Sequence, residues 1–344
     1  MKKIIIVALV TLLIGGSVLV VTGEQAMAKK AKDVIWALAG PMYPEAGEAF
    51  GLNMYVSSLV GLTQQHPALK GKINIKIYDK GMLHKTMEDT LLAMKTGAVQ
   101  MSYGAPQFLE QFAREWKVIQ TPGVFQNYEH FVRAMETKPW KALHKKMEDK
   151  YNITILKWVF SCGNWHLFSS KGPLKTMENI KGQKIRFAGG KGFSKALEAL
   201  GAGPVGLPYT EVITALQTHM IDGMLTSLSA ARAYYKLDRY CPYVNLIPFT
   251  IMPFCFVVNS QWYNSLRPEM RKAVYAPFDR IDIMGFYTRL REKNVQIWRD
   301  DPKTTVIEYN EGEASRWRQA MLTATKETLS TIDPIFLKAV EETR

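Results

Sequence analysis

The segment Lys181–Gly223, KGQKIRFAGGKGFSKALEALGAGPVGLPYTEVITALQTHMIDG, constrains the fold more than any other part of the chain. It reads as strand, helix, strand, helix and strand in unbroken succession. Short apolar strands separated by amphipathic helices fit a sheet with helices on both faces, since each helix crosses back over the sheet before the next parallel strand. Lys184–Ala188 is the first strand, and Phe193–Leu200 is a helix stopped by Gly201. Thr210 is placed to cap the helix Glu211–His219, with Glu211 in the first turn, where the helix dipole favours negative charge. Arg186 stands at the end of the first strand beside Gly189, Gly190 and Gly192. A guanidinium fixed there suits a carboxylate or a similar anion. Nothing nearby resembles a nucleophile or a base, so the segment reads as capture rather than chemistry.

The same alternation runs through the rest of the chain. Val34–Ala39, Ile73–Tyr78, Ala98–Tyr103, Ile153–Phe160, His166–Ser169, Phe254–Val258 and Thr305–Tyr309 read as strands. Glu45 to about Leu62 reads as a helix, as does Thr86–Lys95 with Leu91, Leu92 and Met94 facing inward and Gly97 as its stop. Ser260–Arg299 is helical, divided near Pro268 or Pro277, and two helices close the chain. The stretch Ala93–Gln100 echoes Ala215–Asp222, each a helix end leading into a short strand. This echo and the repeated β-α-β pattern predict an α/β fold of two lobes, each a mostly parallel sheet flanked by helices. A cleft between such lobes gathers strand C-termini and helix N-termini around a ligand.

Residues 1–28 read as a cleavable export signal: Lys2 and Lys3, the apolar run Ile4–Val21, then Ala26-Met27-Ala28. The remainder is long enough for two lobes of about 150 residues each. The formal net charge is +13, but the charges are scattered, with no long basic run, and export excludes a nucleic-acid partner. A solvated basic surface that mildly attracts anions accounts for the balance. Cys162, Cys241 and Cys255 match no metal spacing; they leave open one disulfide with a spare thiol, or buried free thiols. No G-x-S-x-G, H-E-x-x-H or P-loop occurs, and the six histidines are dispersed. Gly201–Gly206 spells G-x-G-x-x-G, but it leaves a helix to enter a strand and carries Pro204, so it is no dinucleotide loop. The chain is read as no enzyme, with no cofactor and no metal.

The pieces LKTMENIKGQKIRFAG, ALEALGAGPVGLPYTEVITALQTHMIDG and YDKGMLHKTMEDTLLAMKTGAVQM resemble the substrate-binding proteins of tripartite ATP-independent periplasmic (TRAP) transporters. Looser likeness runs through VIQTPGVFQNYEHFVRAME and FVVNSQWYNSLRPEMRKAV. The resemblance implies two α/β lobes joined by crossing strands and a long helix, closing on a small organic anion that is then delivered to a membrane permease. It places Arg186 at the family arginine that forks onto the ligand carboxylate, and Tyr209 at an aromatic wall. Thr226 falls where an asparagine is common. Trp165 or His166 falls where a second arginine is common, which points away from a dicarboxylate and towards a monoanion. Tyr43, Glu88 and Tyr103 are candidate contacts from the first lobe.

These readings combine into a periplasmic receptor, monomer or homodimer, with residues 29–162 and about 252–291 in one lobe. Residues 163–251 and about 292–344 form the other lobe and the hinge-spanning helices. Two alternatives stay open: the same fold serving as a ligand sensor for a signalling partner, and a sulfonate in place of the carboxylate.

Overall fold

The computed structural model describes residues 32–37, 61–62, 65–78, 82–84, 86–159, 164–188, 191–207, 211–233, 235–279 and 292–344. The strands are β1 (Lys32–Ala37), β2 (Ile73–Tyr78), β3 (Met101–Gly104), β4 (Ile153–Val159), β5 (Asn164–Ser169), β6 (Lys184–Phe187), β7 (Gly203–Gly206), β8 (Gly223–Thr226), β9 (Tyr243–Ile251), β10 (Phe254–Asn259) and β11 (Thr305–Ile307). The principal helices are α1 (Met87–Lys95), α2 (Tyr128–Met135), α3 (Lys138–Tyr151), α4 (Lys191–Ala199), α5 (Val212–Gln217), α6 (Leu228–Ala233), α7 (Ser260–Ser265), α8 (Pro268–Asp279), α9 (Glu311–Leu329) and α10 (Pro334–Glu341). The strands form two sheets, ordered β2-β1-β3-β10-β4 and β11-β9-β5-β8-β6-β7.

Each sheet is buried on both faces. In β10, Cys255 and Val257 join one core while Phe256 and Val258 join the other. In the second sheet Leu167, Ile185 and Leu225 face α4 and α9, packing on Phe193, Leu197 and Trp317. Phe168, Met224 and Val244 face the other way, onto Val212 and Leu216 of α5 and Leu228 of α6. The chain passes from the first sheet to the second between Val159 and Asn164, and returns between Ile251 and Phe254. A third link is α9. Its Trp317 and Met321 belong to the second sheet's core, and its Leu329, with Leu322 beside it, to the first. After it, α10 docks on the first sheet's helices, Phe336 meeting Trp140 edge to face at 5.0 Å.

The echo in the sequence is realised as one repeated turn. After α1, Gly97 adopts φ +83° and its N–H bonds Met94 O, while Ala98 N–H reaches Ala93 O. After α5, His219 adopts φ +56° and makes the corresponding bond to Leu216 O, while Met220 N–H reaches Ala215 O. Both are Schellman caps feeding a strand in the middle of a sheet.

The sheets are mixed. β1–β2, β1–β3, β6–β7, β6–β8 and β9–β11 are parallel, and every antiparallel pair involves β5 or β10, the strands entered at the two crossings. β9 has no counterpart in the sequence reading. Pro248 argues against a strand there, but residues 246–249 face a register shift in β5 and pair with no strand, so the missing N–H breaks no ladder bond. Leu92 does not face inward; it is 48 % exposed, since only Leu91 and Met94 lie on the buried stripe of α1. The helical region divides at Pro268, which begins α8, and not at Pro277, which lies inside α8. α5 has Glu211 at its N-cap with no side-chain cap; Thr210 lies outside the described residues. So do the expected helix from Glu45, all but its last residues, and the export signal. Cys241 and Cys255 are free and buried, so neither takes part in a disulfide.

Gly223 shows how tightly the second sheet is built. A Cβ there would lie 2.1 Å from Phe168 O, closer than any relaxation of one side chain can relieve. We expect Gly223→Ala to lower the unfolding free energy by about 2 kcal/mol or more, read by denaturant melting; an unchanged midpoint would contradict the packing.

His144 is stacked on Trp116 at 5.5 Å and lies 6.0 Å from Trp158, and burial pulls its pKa down to about 4. The unfolded chain takes up this proton near 6.5, so between those values the unfolded state binds more protons and stability falls as pH falls. The loss should begin below about pH 7 and reach about 3 kcal/mol near pH 4. Melting curves of His144→Phe should be correspondingly flatter over that window.

Candidate functional site

At the end of the second sheet, β6, β7 and β8 present their C-termini together. β6 leads into α4 on one face, whereas the chain leaving β7 reaches α5 on the other. Divergence of adjacent connections opens a crevice at the strand ends, where α/β sheets bind ligands. Arg186 sits there, paired in register with Val205 of β7 and Met224 of β8. Strand alternation sends Ile185 into the α4 core and Arg186 to the opposite face.

Arg186 is only 3 % exposed. Its Nε and one terminal nitrogen both donate to Leu207 O, at 3.1 and 2.8 Å. Burial lowers the guanidinium pKa, and Tyr235, through its charge and a hydrogen bond, opposes that shift. Tyr235 is itself 7 % exposed. No carboxylate among the described residues forms an ion pair with Arg186. The guanidinium is thus oriented along its Nε edge, while its positive charge is buried with no carboxylate against it among the described residues. Such a charge is expensive in the interior unless an anion meets it.

On the same face, His166 of β5 lies opposite Thr226 of β8, at 4 % and 5 % exposure. His166 Nδ1 is 3.0 Å from Ile247 O, and a carbonyl only accepts, so Nδ1 carries the proton. The Thr226 hydroxyl makes no hydrogen bond to the described residues. The structure therefore brings Arg186, His166 and Thr226 together. Trp165 points to the other face and packs on Phe193 at 5.7 Å, with its indole N–H buried and unbonded. Tyr103 is in the first sheet's core, stacked on Phe254 at 5.1 Å and tilted against Phe256 at 4.7 Å. Glu88 is exposed on the first turn of α1. Tyr43 and Tyr209 lie outside the described residues.

Sequence reading missed three participants. Leu207 acts through its backbone, which no side-chain pattern announces. Tyr235 is far from Arg186 in sequence and belongs to no motif. Asn164 shares the His166 side of β5 by alternation, and its carbonyl oxygen is buried without a partner. Asp222 has a structural role: one oxygen accepts from Lys184 N–H at 2.9 Å and the other lies 3.4 Å from Lys171 Nζ, fixing the far ends of β6 and β8. Among the described residues no His, Cys, Asp and Glu cluster could hold a metal, and no helix is long and apolar enough to cross a membrane.

If Arg186 is held for a ligand rather than for the fold, its charge should contribute little to the empty protein. Arg186→Met should leave the unfolding free energy without added ligand within about 1 kcal/mol. A loss of more than about 3 kcal/mol would mark a structural arginine.

With this geometry in hand, comparison with known proteins is informative. The family model described as DctP, bacterial extracellular solute-binding protein, family 7, matches residues 62–331. The C4-dicarboxylate-binding periplasmic protein DctP of Rhodobacter capsulatus is 25 % identical over 276 residues, 79 % of this chain and 81 % of that protein. Among solved structures, a TRAP periplasmic solute-binding protein of Ochrobactrum anthropi superposes with TM-score 0.77 at 20 % identity, covering 91 % of this chain and 95 % of the other. One from Shewanella oneidensis with bound succinate gives TM-score 0.75 at 19 % identity, covering 91 % and 99 %. These structural matches establish the two-lobed α/β fold.

Proposed function

The chain belongs to family 7 of the bacterial extracellular solute-binding proteins, and we propose that it captures a small organic anion on Arg186, in the periplasm, for a TRAP membrane permease. The observation that carries this reading is the buried guanidinium with no carboxylate beside it among the described residues. Leu207 occupies the Nε edge, so the outer edge of the fork is the one left to grip two carboxylate oxygens. Tyr235 and Leu207 hold that edge before the ligand arrives, which lowers the ordering cost of binding.

The rest of the face supports a single charged group on the cargo. His166 and Thr226 offer an imidazole and a hydroxyl but no second guanidinium, so a monocarboxylate suits the face better than a dicarboxylate such as the succinate bound to the Shewanella relative. Tyr209 and Tyr43 complete the wall in this reading, with Glu88 and Tyr103 on the first-lobe side. Trp165 faces the other way and acts only through its packing on Phe193, which steadies the strand that carries His166. We take the lobes to divide after residue 162, after 251 and after about 291, residues 29–162 with about 252–291 against 163–251 with about 292–344. Ligand then favours the closed arrangement because that arrangement binds it better. The protein performs no covalent chemistry.

Thermal-shift and calorimetric titration of the mature protein against aliphatic and aromatic monocarboxylates, dicarboxylates and sulfonates tests this. One anion class should raise the melting temperature by mass action. Arg186→Ala should cost at least ~2 kcal/mol of binding. Saturable binding that survives in Arg186→Ala would overturn the assignment, and turnover of the bound acid would replace it with an enzyme.

A further inference from the structure

A groove of about 410 Å³ lies on the face of the second sheet opposite to Arg186. Three pieces of chain line it. Glu110, Lys117 and Thr121 come from the segment between β3 and α2, Lys191 and Phe193 from the start of α4, and Glu327 from the end of α9. The first piece packs with the first sheet, the second with the second sheet, and α9 spans both. An apolar floor separates the groove from the Arg186 crevice: Phe193, Trp165 and Phe187 pack in one core with Ala105, and Phe108 and Phe254 border it.

The charges in the groove do not balance locally. Lys195 of α4 pairs with Glu327 of α9. Lys117 and Lys191 make no ion pair with the described residues. The remaining acid, Glu110, makes no hydrogen bond to the described residues; burial raises its pKa and Lys117 pulls it back. Lys191 is also the first residue of α4, where the helix dipole adds positive potential. Two ammonium groups that form no ion pair among the described residues, Lys117 with Glu110 nearby, thus approach one groove from opposite lobes, with Thr121, Thr328 and Thr331 beside them. A volume of this size falls within the range of small-molecule sites.

We propose that this groove is a second binding site, distinct from the Arg186 crevice, for a small dianion that bridges Lys117 of one lobe to Lys191 of the other. Inorganic phosphate and a short dicarboxylate share the required chemistry. An occupant touching both lobes and α9 favours one lobe arrangement over others, and so couples to whatever the crevice binds. The inference does not depend on the identity of the cargo.

Calorimetric titration with phosphate, and separately with succinate, tests it on the full-length mature chain carrying Arg186→Ala, which removes the crevice as a competitor. Arg186→Met serves the same purpose should the alanine variant fold poorly. One saturable site is expected, with affinity falling about tenfold in Lys117→Ala and in Lys191→Ala alike, the loss typical of a charged hydrogen-bond partner. Response to phosphate alone, or to succinate alone, decides which dianion the groove takes. Absence of saturable binding by either probe, or an affinity unchanged in either lysine variant, overturns the bridging site.

Discussion

A buried arginine whose charge no described carboxylate answers is the constraint around which the second sheet is arranged. The side chain has to be delivered to the end of β6, turned away from the α4 core and held there. Alternation along β6 does the turning, because Ile185 takes the apolar face and leaves Arg186 the other. Register does the placing, since β7 and β8 flank Arg186 on both sides. The Leu207 carbonyl then absorbs two of its five donors. What is left is a directed positive edge in a site from which water is largely excluded, where charge interactions are stronger than at the surface.

Holding that edge still requires a rigid frame behind it, and the far end of the sheet supplies one. Asp222 joins β6 to the segment leaving β5 through Lys184 N–H and Lys171, and Gly223 permits a backbone approach that no other residue allows. Asn245 reinforces the same frame from β9, its amide donating to Leu167 O and its carbonyl accepting from Leu174 N–H. The sequence motif "DG" thus has a mechanical meaning: the acid pins one strand and the glycine lets another pass. Fixing one end of a short strand leaves the other end well defined, and Arg186 is at that other end.

How much of this was readable in advance depended on whether the controlling interaction was local. β2 was read at its observed bounds because Ile73–Tyr78 alternates and ends in a turn. α1 was readable from Thr86, whose hydroxyl accepts from Asp89 N–H, and from Gly97, which supplies the left-handed cap. β9 was not readable, because Pro248 is tolerated only through a register shift that β5 provides from far away in sequence. Leu92 misled because a short helix has a narrow buried stripe and leucine is common outside it. His166 and Trp165 are adjacent in the sequence, yet pleating sends them to opposite faces. One of them shares the Arg186 side, and the other packs on Phe193. Leu207 and Tyr235 reach Arg186 only through the folded topology, so no spacing pattern could have named them.

The two lobes communicate through few routes, and their physical character differs. The crossing after β9 is short, since only residues 252–253 separate β9 from β10. α9 is continuous, and its two halves are bound to different cores. Glu313 fastens its first turns to the second lobe by accepting from Met177 N–H, the same oxygen also accepting from Trp317 Nε1 within the helix, while Leu329 lies in the first lobe's core. Between those halves, Thr325 is fully buried and its hydroxyl turns back to Met321 O and Leu322 O, a pattern associated with helix bending. Gly123 lies against α9 just before this point, where a Cβ would stand 3.1 Å from Leu322 Cγ and 3.3 Å from Arg318 O. Thr325 and Gly123 thus mark one turn of α9 where a rotation of the two cores against each other would meet the least resistance from the helix, next to the loop that continues into the lysine groove. A movement that narrowed the Arg186 crevice on one face of the sheet would also change the separation of Lys117 and Lys191 on the other, because α4 packs with the second sheet and the 117–123 loop with the first.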